Sequence, residues 1–300
     1  MEDIIIKSCE ICNGELKVKY LGSIRDGSYG NSLDDAVILE CQQCNVQRLK
    51  EEYCIPDSYY ESGAYREILN QSLETNKAIY EQNEIQKYTF NEIPLSKLKD
   101  KVIMDVGCGA GSLLNMTKNI SNKQIGVEPC QPYRDSLIAQ GYEIFRDLTE
   151  SNSHYHNTVD YAFSIQVIEH VSNPREFLEE IKSLIKPGGS LLLSTPNCNE
   201  ILMSIMYEEF SSFFYRTQHK WYFNEESLIK CAKLSGFDVE QVSFVHRQPL
   251  SNALFWLKDK QPKGSLEMAG INSDASELWK AYLENTKQSC TIYLKLKNND

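Results

Sequence analysis

A glycine-rich turn after an apolar segment is the part of this chain whose residue types most directly imply chemistry. Residues 102–112 read VIMDVGCGAGS, an apolar run that leads into Asp105 and into glycines at positions 107, 109 and 111. This pattern predicts a buried strand, a turn that a ligand can approach closely, and the start of a helix. The even glycine spacing differs from the G-x-G-x-x-G of dinucleotide-binding turns, and the leading carboxylate would repel a pyrophosphate. We therefore expect a nucleoside cofactor that carries a cationic amine.

Four of the ten cysteines form two pairs with the spacing of metal ligands. Cys9 and Cys12 form one Cys-x-x-Cys pair, and Cys41 and Cys44 form another after 28 intervening residues. Four thiolates in two such pairs bind zinc tetrahedrally and leave no position for a substrate. The sequence thus predicts a structural zinc ribbon over residues 1–56, with redox pairs or unconnected buried cysteines as alternatives. The scattered remaining cysteines are expected to be small buried hydrophobic residues.

The glycine turn resembles the first motif of class I S-adenosylmethionine-dependent methyltransferases, and further matches follow in the family's order. Residues 124–128 (QIGVE) are similar to the second strand and its terminal acid, and residues 161–171 (YAFSIQVIEHV) to the fourth strand and its Glu-His element. Residues 185–197 (IKPGGSLLLSTPN) are similar to the fifth strand. The resemblance implies an α/β fold, with a seven-stranded, mostly parallel Rossmann-like sheet, helices on both faces and the small N-terminal β ribbon. It also implies S-adenosylmethionine as the methyl donor.

The resemblance assigns cofactor contacts to individual residues. Glu128 lies where the family places the carboxylate that accepts both ribose hydroxyls, and Asp147 lies near the adenine-contacting position. A tyrosine-bearing helical lid is expected over residues 57–98, where Arg66 suits the cofactor carboxylate, although a tyrosine stripe of this kind also occurs as plain packing. The full set of predicted contacts is Asp105, Gly107, Cys108, Gly109, Gly111, Glu128, Pro129, Asp147, Gln166, Tyr65 and Arg66.

Two of the five histidines fall where class I enzymes build the substrate pocket. His170 follows Glu169 just beyond the fourth predicted strand, at the carboxyl edge of the sheet where ligands bind in such folds. His219 lies in an insertion after the fifth strand. A hydroxyl nucleophile placed opposite the methyl donor benefits from a base, and histidine is the natural proton acceptor near neutral pH. We expect Glu169, His170 and His219 to be catalytic, with a helix-start histidine bonded to backbone as the alternative for His170.

The ribbon, the lid and the segment around His219 together resemble bacterial sugar methyltransferases that act on nucleotide-linked deoxysugars. A methyltransferase core is expected over residues 99–300, with substrate-side insertions at about 197–223 and 250–275. The C-methylating members carry Tyr-His-Glu-His where residues 216–219 read Arg-Thr-Gln-His, and they continue into a further C-terminal domain. We therefore expect O-methylation of a sugar or nucleotide-sugar by a histidine base, in a polysaccharide or secondary-metabolite pathway. The alternatives are a phenol- or quinone-type methyltransferase, a sugar C-methyltransferase, a ribosomal RNA methyltransferase and a non-catalytic cofactor-binding subunit.

Charge and composition limit the partners of this chain. The 300 residues carry a formal net charge of −11, and residues 1–56 hold 10 acidic side chains against 6 lysines and arginines. Nucleic-acid affinity depends on neutralising phosphates, so RNA is a disfavoured substrate. No segment approaches the roughly 20 apolar residues of a membrane span, and the opening MEDIIIKS lacks the regions of a secretory signal. We expect a cytoplasmic protein with a small-molecule substrate and with no nucleic-acid or membrane partner.

Overall fold

The strands of the protein fall into two separate sheets. The structure, a computed structural model, describes residues 8–27, 30–64, 66 and 73–300. In chain order the strands are β1 (Leu16–Arg25), β2 (Ser32–Cys41), β3 (Gln47–Leu49), β4 (Val102–Val106), β5 (Lys123–Val127), β6 (Glu143–Phe145), β7 (Val159–Ile165), β8 (Ile185–Pro196), β9 (Trp221–Tyr222), β10 (Asp238–Val245) and β11 (Thr291–Lys297).

The larger sheet has seven strands in the order β10-β11-β8-β7-β4-β5-β6. Strands β4 to β8 pair in parallel, whereas β11 pairs antiparallel with both β8 and β10. The central strands read as continuous apolar runs because helices cover both faces of the sheet. This arrangement confirms the predicted Rossmann-like α/β fold.

The smaller sheet is antiparallel and joins the N-terminal segment to the core. Strands β1, β2 and β3 form its first part, and β9 from the core adds the fourth strand. In the register of β3 and β9, Gln47 pairs with Tyr222 and Arg48 pairs with Trp221. Residues around β9 belong to the first predicted insertion, so the ribbon sheet is held directly against that insertion.

Helices flank the large sheet and fill the connections between its strands. They are α1 (Ser58–Ser62), α2 (Thr75–Glu92), α3 (Ser112–Thr117), α4 (Gln131–Ala139), α5 (Leu148–Tyr155), α6 (Pro174–Leu184), α7 (Ile201–Ile205), α8 (Tyr207–Phe214), α9 (Glu225–Leu234), α10 (Leu250–Asp259) and α11 (Ser273–Asn285), with short 3-10 turns at Glu51–Tyr53 and Leu95–Leu98. Among the described helices, none combines the length and apolar character that crossing a bilayer requires.

Side-chain caps start two helices where the sequence indicates them. The Asn173 carboxamide oxygen accepts hydrogen bonds from the first backbone amides of α6, and Asn224 and Ser227 form a reciprocal capping box on α9. Such caps satisfy amides that have no partner inside a helix. The apolar stripe of α6 predicts a helix that continues almost to Gly188, but α6 ends at Leu184. The reason is tertiary: Ile185 already pairs with Val159 of β7, so the chain becomes extended there.

Candidate active site

A cavity of about 1020 Å³ opens at the carboxyl ends of β4, β5 and β7. One half, which we name the cofactor half after the expectation from the sequence, is lined by the glycine turn after β4 and by the residues that follow β5. The other half, which we name the acceptor half on the same ground, is lined by residues from both predicted insertions and by one residue of the ribbon. Ligand pockets commonly span about 300–1,000 Å³, so this volume has room for a cofactor and an acceptor side by side.

The turn after β4 is shaped by glycines that no other residue replaces without strain. Gly107, Gly109 and Gly111 have φ angles of 79°, 54° and 81°, in the left-handed region that favours glycine. A Cβ atom on Gly107 would also lie 2.4 Å from Cγ2 of Val167. Gly107 and Gly109 line the cavity, whereas Gly111 sits at the start of α3. The turn therefore brings its backbone directly to the cavity surface.

Two buried acids face this turn. Glu128 follows β5, and its side-chain oxygens accept hydrogen bonds from the backbone amides of Gly109 at 2.7 Å and Cys130 at 2.9 Å. Asp105 ends close by on β4, and burial together with the charge of Glu128 raises the pKa of its carboxyl to about 7. Cys108 and Pro129 line the same part of the cavity. The arrangement is suited to a ligand that offers hydroxyl donors and a cationic group.

Asp147 and Gln166 extend the lining on either side of the acids. Asp147 caps α5 through a 2.8 Å hydrogen bond from the Glu150 amide, so one of its oxygens is engaged by the helix. Gln166 follows β7 with a φ of 60°, a left-handed conformation that is uncommon outside glycine. The backbone amide of Gln166 donates a hydrogen bond to the Ser194 carbonyl at 3.0 Å, which holds the turn in place. Backbone strain of this kind is concentrated at functional sites.

Arg66 is the part of the predicted lid that reaches the cofactor half of the cavity. Its guanidinium lies over the ring of Tyr133, 5.4 Å from the ring centroid. Tyr65, the other predicted lid contact, lies outside the described residues. Arg66 therefore brings a positive charge to the cavity that Glu128 and Pro129 also line.

The buried Glu169 and the partly buried His170 form a pair in the turn that follows β7. Glu169 accepts a 3.0 Å hydrogen bond from the Thr195 hydroxyl, and its other oxygen lies 4.0 Å from Nε2 of His170. His170 Nδ1 is 2.7 Å from the carbonyl of Gln218, so this nitrogen carries the proton and Nε2 does not. Burial raises the pKa of Glu169 to about 7 and lowers the pKa of His170 to about 4. The alternative prediction for His170 was a hydrogen bond to the backbone. The ring does make one, and its acceptor is the Gln218 carbonyl in the first predicted insertion.

His219 stands perpendicular to His170, with ring centroids 4.8 Å apart. Burial, followed by the charge of Arg216, lowers the pKa of His219 well below its usual range, so the ring is neutral. Within the described part of the chain, neither ring nitrogen of His219 has a hydrogen-bond partner. The imidazole is thus buried, neutral and available to a ligand in the cavity.

Tyr60 connects the lid to this histidine pair. Its hydroxyl donates to the Gln218 carbonyl at 2.9 Å and lies 3.1 Å from Nδ1 of His170. The sequence marks Tyr60 only as one of a tyrosine pair in the lid, and its contact with His170 was missed. The contact brings α1, a lid helix, against the acceptor half of the cavity.

One ligand atom each from Glu169, His170 and His219 lie within 4.8 Å of one another. Neutral imidazoles and a carboxylate are the ligand types of many divalent transition-metal sites. The sequence left the need for a catalytic divalent ion open. The geometry permits such an ion, and the same groups can also transfer a proton.

Aromatic rings form one wall of the acceptor half of the cavity. Phe210 and Phe213 of α8 lie 5.0 and 5.1 Å from the ring of Trp256 on α10, measured between centroids. These elements fall in the two predicted insertions, which therefore converge on the cavity. Three arginines that the sequence did not indicate line the same half: Arg25, Arg216 and Arg247. They have no local motif because they come from distant segments.

The four paired cysteines converge beside the small sheet, away from the cavity. Sγ of Cys9 lies 3.7 Å from Sγ of Cys44, and Sγ of Cys12 lies 3.5 Å from Sγ of Cys41. Sulfurs 2.3 Å from a tetrahedral zinc are about 3.8 Å apart, so the cluster fits that ion. Each pair is followed by an asparagine in the left-handed conformation, Asn13 with φ 59° and Asn45 with φ 58°. The two halves of the cluster therefore share one turn geometry.

Comparison with known sequences adds the family. A model described as a methyltransferase domain matches residues 80–242. The ubiquinone biosynthesis O-methyltransferase of Aeromonas salmonicida is 29% identical over 164 residues, which cover 51% of this chain and 69% of that protein. The mitochondrial ubiquinone biosynthesis O-methyltransferase of Rattus norvegicus is 25% identical over 190 residues, covering 58% of this chain and 54% of that protein. The match thus spans only about half the length of the mammalian relative.

Solved structures show the same fold. An S-adenosylmethionine-dependent methyltransferase from Archaeoglobus fulgidus aligns with a TM-score of 0.51 at 17% identity and covers 78% of this chain and 98% of that one. A chain from the complex of the Haloferax volcanii Trm112 methyltransferase activator with a methyltransferase aligns with a TM-score of 0.52 at 13% identity and covers 84% of this chain and 99% of that one. Together with the family match, these findings identify the chain as a member of the methyltransferase domain family and as an S-adenosylmethionine-dependent methyltransferase.

Proposed function

We propose that this protein methylates a hydroxyl of a phenol- or quinol-type small molecule, with a histidine as general base. The observation that carries this proposal is the His219 ring, which is neutral and has no hydrogen-bond partner among the described residues, in the cavity that the glycine turn also lines. Several curated relatives are named for O-methylation in ubiquinone biosynthesis, and this supports an aromatic hydroxyl as the acceptor.

The cofactor half of the cavity fits S-adenosylmethionine in its donor set. Glu128 can accept from the ribose hydroxyls, Asp105 can pair with the cationic amine, and Arg66 can pair with the carboxylate. The remaining lining would come from Gly107, Cys108, Gly109, Pro129, Asp147 and Gln166, with Gly111 shaping the turn. When bound, the cofactor supplies an electrophilic methyl group, and a buried acid next to a cation gains a strong electrostatic interaction.

In this proposal His219 accepts the proton of the acceptor hydroxyl as the methyl group is transferred. Its lowered pKa keeps the ring unprotonated at neutral pH, which is the state a base needs. The positive charge that develops on the ring lies next to His170, whose Nε2 faces the Glu169 carboxyl. The positive charge of Arg216 stabilises the acceptor oxygen as it loses its proton. Glu169 and His170 would therefore stabilise the protonated base.

The aromatic wall is the reason to prefer a phenolic acceptor over the sugar that the sequence favours. Phe210, Phe213 and Trp256 contribute aromatic carbon to the cavity lining, and offset or edge contacts between aromatic rings are favourable. The comparisons contain no sugar methyltransferase among the relatives named above, so the sugar acceptor has no support from them. Nucleotide-sugars are included in the activity test below as the alternative class of acceptor.

We further infer that Cys9, Cys12, Cys41 and Cys44 bind a structural zinc ion. All four sulfurs are within 4.8 Å of one another, and none of these residues lines the cavity. A closed set of four thiolates serves folding and offers no open position for chemistry. The ion would then stabilise the small sheet that is joined to the core through β9.

The acceptor class is tested by mass spectrometry of a panel incubated with the purified protein and S-adenosylmethionine. The panel contains catechol, hydroquinone and a hydroxylated benzoate on one side and a set of nucleotide-sugars on the other. We expect one methyl group on a phenolic compound. Methylation of a nucleotide-sugar alone would overturn the acceptor class. Cofactor binding without turnover on any compound would instead indicate a non-catalytic subunit.

A further inference from the structure

Three arginines reach the acceptor half of the cavity from three separate segments of the chain. Arg25 is the last residue of β1 in the ribbon, Arg216 lies three residues before His219, and Arg247 follows β10. The ribbon thus contributes a side chain to the cavity of the catalytic core.

Backbone hydrogen bonds hold two of these arginines side by side. The Arg25 amide donates to the Tyr215 carbonyl at 3.0 Å, and the Thr217 amide donates to the Arg25 carbonyl at 3.1 Å. Arg25 and Arg216 therefore form an isolated β-bridge. Residues paired across a bridge project to the same side, and both arginines line the cavity.

Two buried acids, Glu169 and Glu200, line the same cavity as these arginines. Burial raises the pKa of Glu200 to about 8, so this carboxyl is mostly protonated at neutral pH. The neighbouring imidazole of His246 is neutral, because burial lowers its pKa to about 4. Three arginines thus line one cavity in a chain whose formal net charge is −11.

The surroundings of Arg25 and Arg247 include an aromatic ring and a buried donor group. The Arg25 guanidinium lies over the Phe213 ring at 4.4 Å from its centroid. Nε of Arg247 is buried and has no hydrogen-bond partner among the described residues. A buried donor without a partner is costly unless a ligand supplies the acceptor. The site thus combines cationic donors with aromatic rings.

We propose that Arg25, Arg216 and Arg247 bind an anionic group, a phosphate or a carboxylate, that is carried by the methyl acceptor. Guanidinium groups present planar arrays of donors that match both kinds of oxyanion. The inference rests on the proposed function, because it places the acceptor in the half of the cavity that contains His219. It also gives the ribbon a second role, since β1 carries Arg25 into the acceptor site.

Equilibrium binding to protein saturated with S-adenosylhomocysteine tests this proposal without requiring turnover. Titration calorimetry would compare two matched pairs of compounds: 3,4-dihydroxybenzoate with catechol, and thymidine diphosphate with thymidine. We expect the anionic member of one pair to bind about tenfold or more tighter than its neutral partner, as one charge-assisted hydrogen bond would give. The pair that shows the difference identifies the anion as carboxylate or phosphate.

The variants Arg25→Gln and Arg247→Gln should each reduce that preference to about threefold or less, because each removes a charged donor. Arg25→Lys keeps the charge and should retain part of the preference. Arg175→Gln is the matched control: Arg175 pairs with Glu179 on the exposed face of α6 and should leave binding unchanged. Unchanged affinity for S-adenosylhomocysteine shows that each variant is folded.

Equal binding of both members in both pairs would overturn the proposal, as would full preference in Arg25→Gln and Arg247→Gln. If the anion-binding proposal fails but the same protein methylates a neutral phenol, the proposed function is still supported. Strong preference for the anionic compounds without any methyl transfer would support the arginine site and contradict the proposed function.

Discussion

Two imidazoles in the acceptor half of the cavity, the partly buried His170 and the buried His219, are held in the neutral form that a general base requires. His170 is fixed by the Gln218 carbonyl at its Nδ1, whereas His219 keeps both ring nitrogens available in the described structure. Burial is the main cause of the lowered pKa in each case. We therefore propose that His219 accepts the proton and that His170 positions it.

Replacement of His219 tests its role as the base. We expect His219→Ala to lower kcat by about 100-fold or more, the usual contribution of a positioned base, and to leave the affinity for S-adenosylhomocysteine within about twofold. Steady-state kinetics and titration calorimetry measure the two effects separately. His156→Ala, at an exposed position, should change neither. Unaltered turnover in His219→Ala would remove His219 as the base.

The pH dependence should report Glu169 rather than a histidine. Burial raises its pKa to about 7, so the carboxylate that stabilises the protonated base forms only as the pH rises through that value. We expect kcat, measured with saturating cofactor, to fall below pH 7 and to reach a plateau above it. The histidines, with pKa values far lower, add no step in this range. Glu169→Gln should give a lower and flat profile, and a step that survives this change would contradict the assignment.

The sequence could indicate the polar residues that follow strands but not those that meet from afar. Asp105, Glu128, Glu169 and His170 sit at the ends of parallel strands, and all four line one cavity because those strand ends share an edge. Arg25 carries no such signal. It reaches the cavity through its bridge with Arg216, a pairing across almost two hundred residues that no local pattern encodes.

At the scale of elements, the turn between β4 and α3 combines backbone strain with close packing. Gly107→Ala introduces a left-handed alanine and a contact with Val167 at 2.4 Å. We expect it to cost about 2 kcal/mol or more of unfolding free energy and to weaken cofactor binding at least about tenfold. Denaturant unfolding and calorimetry measure these effects.

Gly188→Ala is the matched control for this change. Gly188 has a similar φ of 76°, but a Cβ atom there meets nothing within 4 Å. It should cost only the conformational strain of about 1–2 kcal/mol and leave cofactor affinity intact. Equal loss of affinity in both variants would show that the turn does not act through its closeness to the ligand.

The elements themselves were largely predictable, and the exceptions have tertiary causes. The alternating pattern of residues 291–297 gives β11 with the predicted bounds, since one face of the strand packs on the core. Helix α6 starts at its Asn173 cap as expected but ends before its apolar stripe does. Pairing of Ile185 with β7 decides that boundary, and sheet pairing is invisible to a helical periodicity.

The cysteine cluster gives a prediction about the ribbon as an element. Cys9→Ser and Cys44→Ser should each lose one zinc per chain and lower the unfolding free energy by about 3 kcal/mol or more, because metal binding is coupled to folding. Metal analysis and thermal denaturation measure both changes. Cys54→Ser, a cysteine outside the cluster, should keep the metal. Retention of zinc in the cluster variants would refute the site.

At the scale of the whole molecule, three regions of the sequence converge on one cavity. The core supplies the glycine turn, Glu128 and the histidines, the lid supplies Tyr60 and Arg66, and the ribbon supplies Arg25. Strand β9 joins the ribbon sheet to the insertion that carries His219. The division into residues 1–56, 57–98 and 99–300 therefore describes the sequence better than it describes the site, and we propose that the regions act as one unit.

The central claim is that this cavity transfers the methyl group of S-adenosylmethionine to an acceptor oxygen with the help of His219. The most direct test uses cofactor labelled with carbon-13 in its methyl group, a phenolic acceptor from the panel, and nuclear magnetic resonance of the product. We expect one labelled methoxy group, formed by the unaltered protein and strongly reduced in His219→Ala. A labelled methyl on carbon or nitrogen, or methoxy formation that is independent of His219, would contradict it.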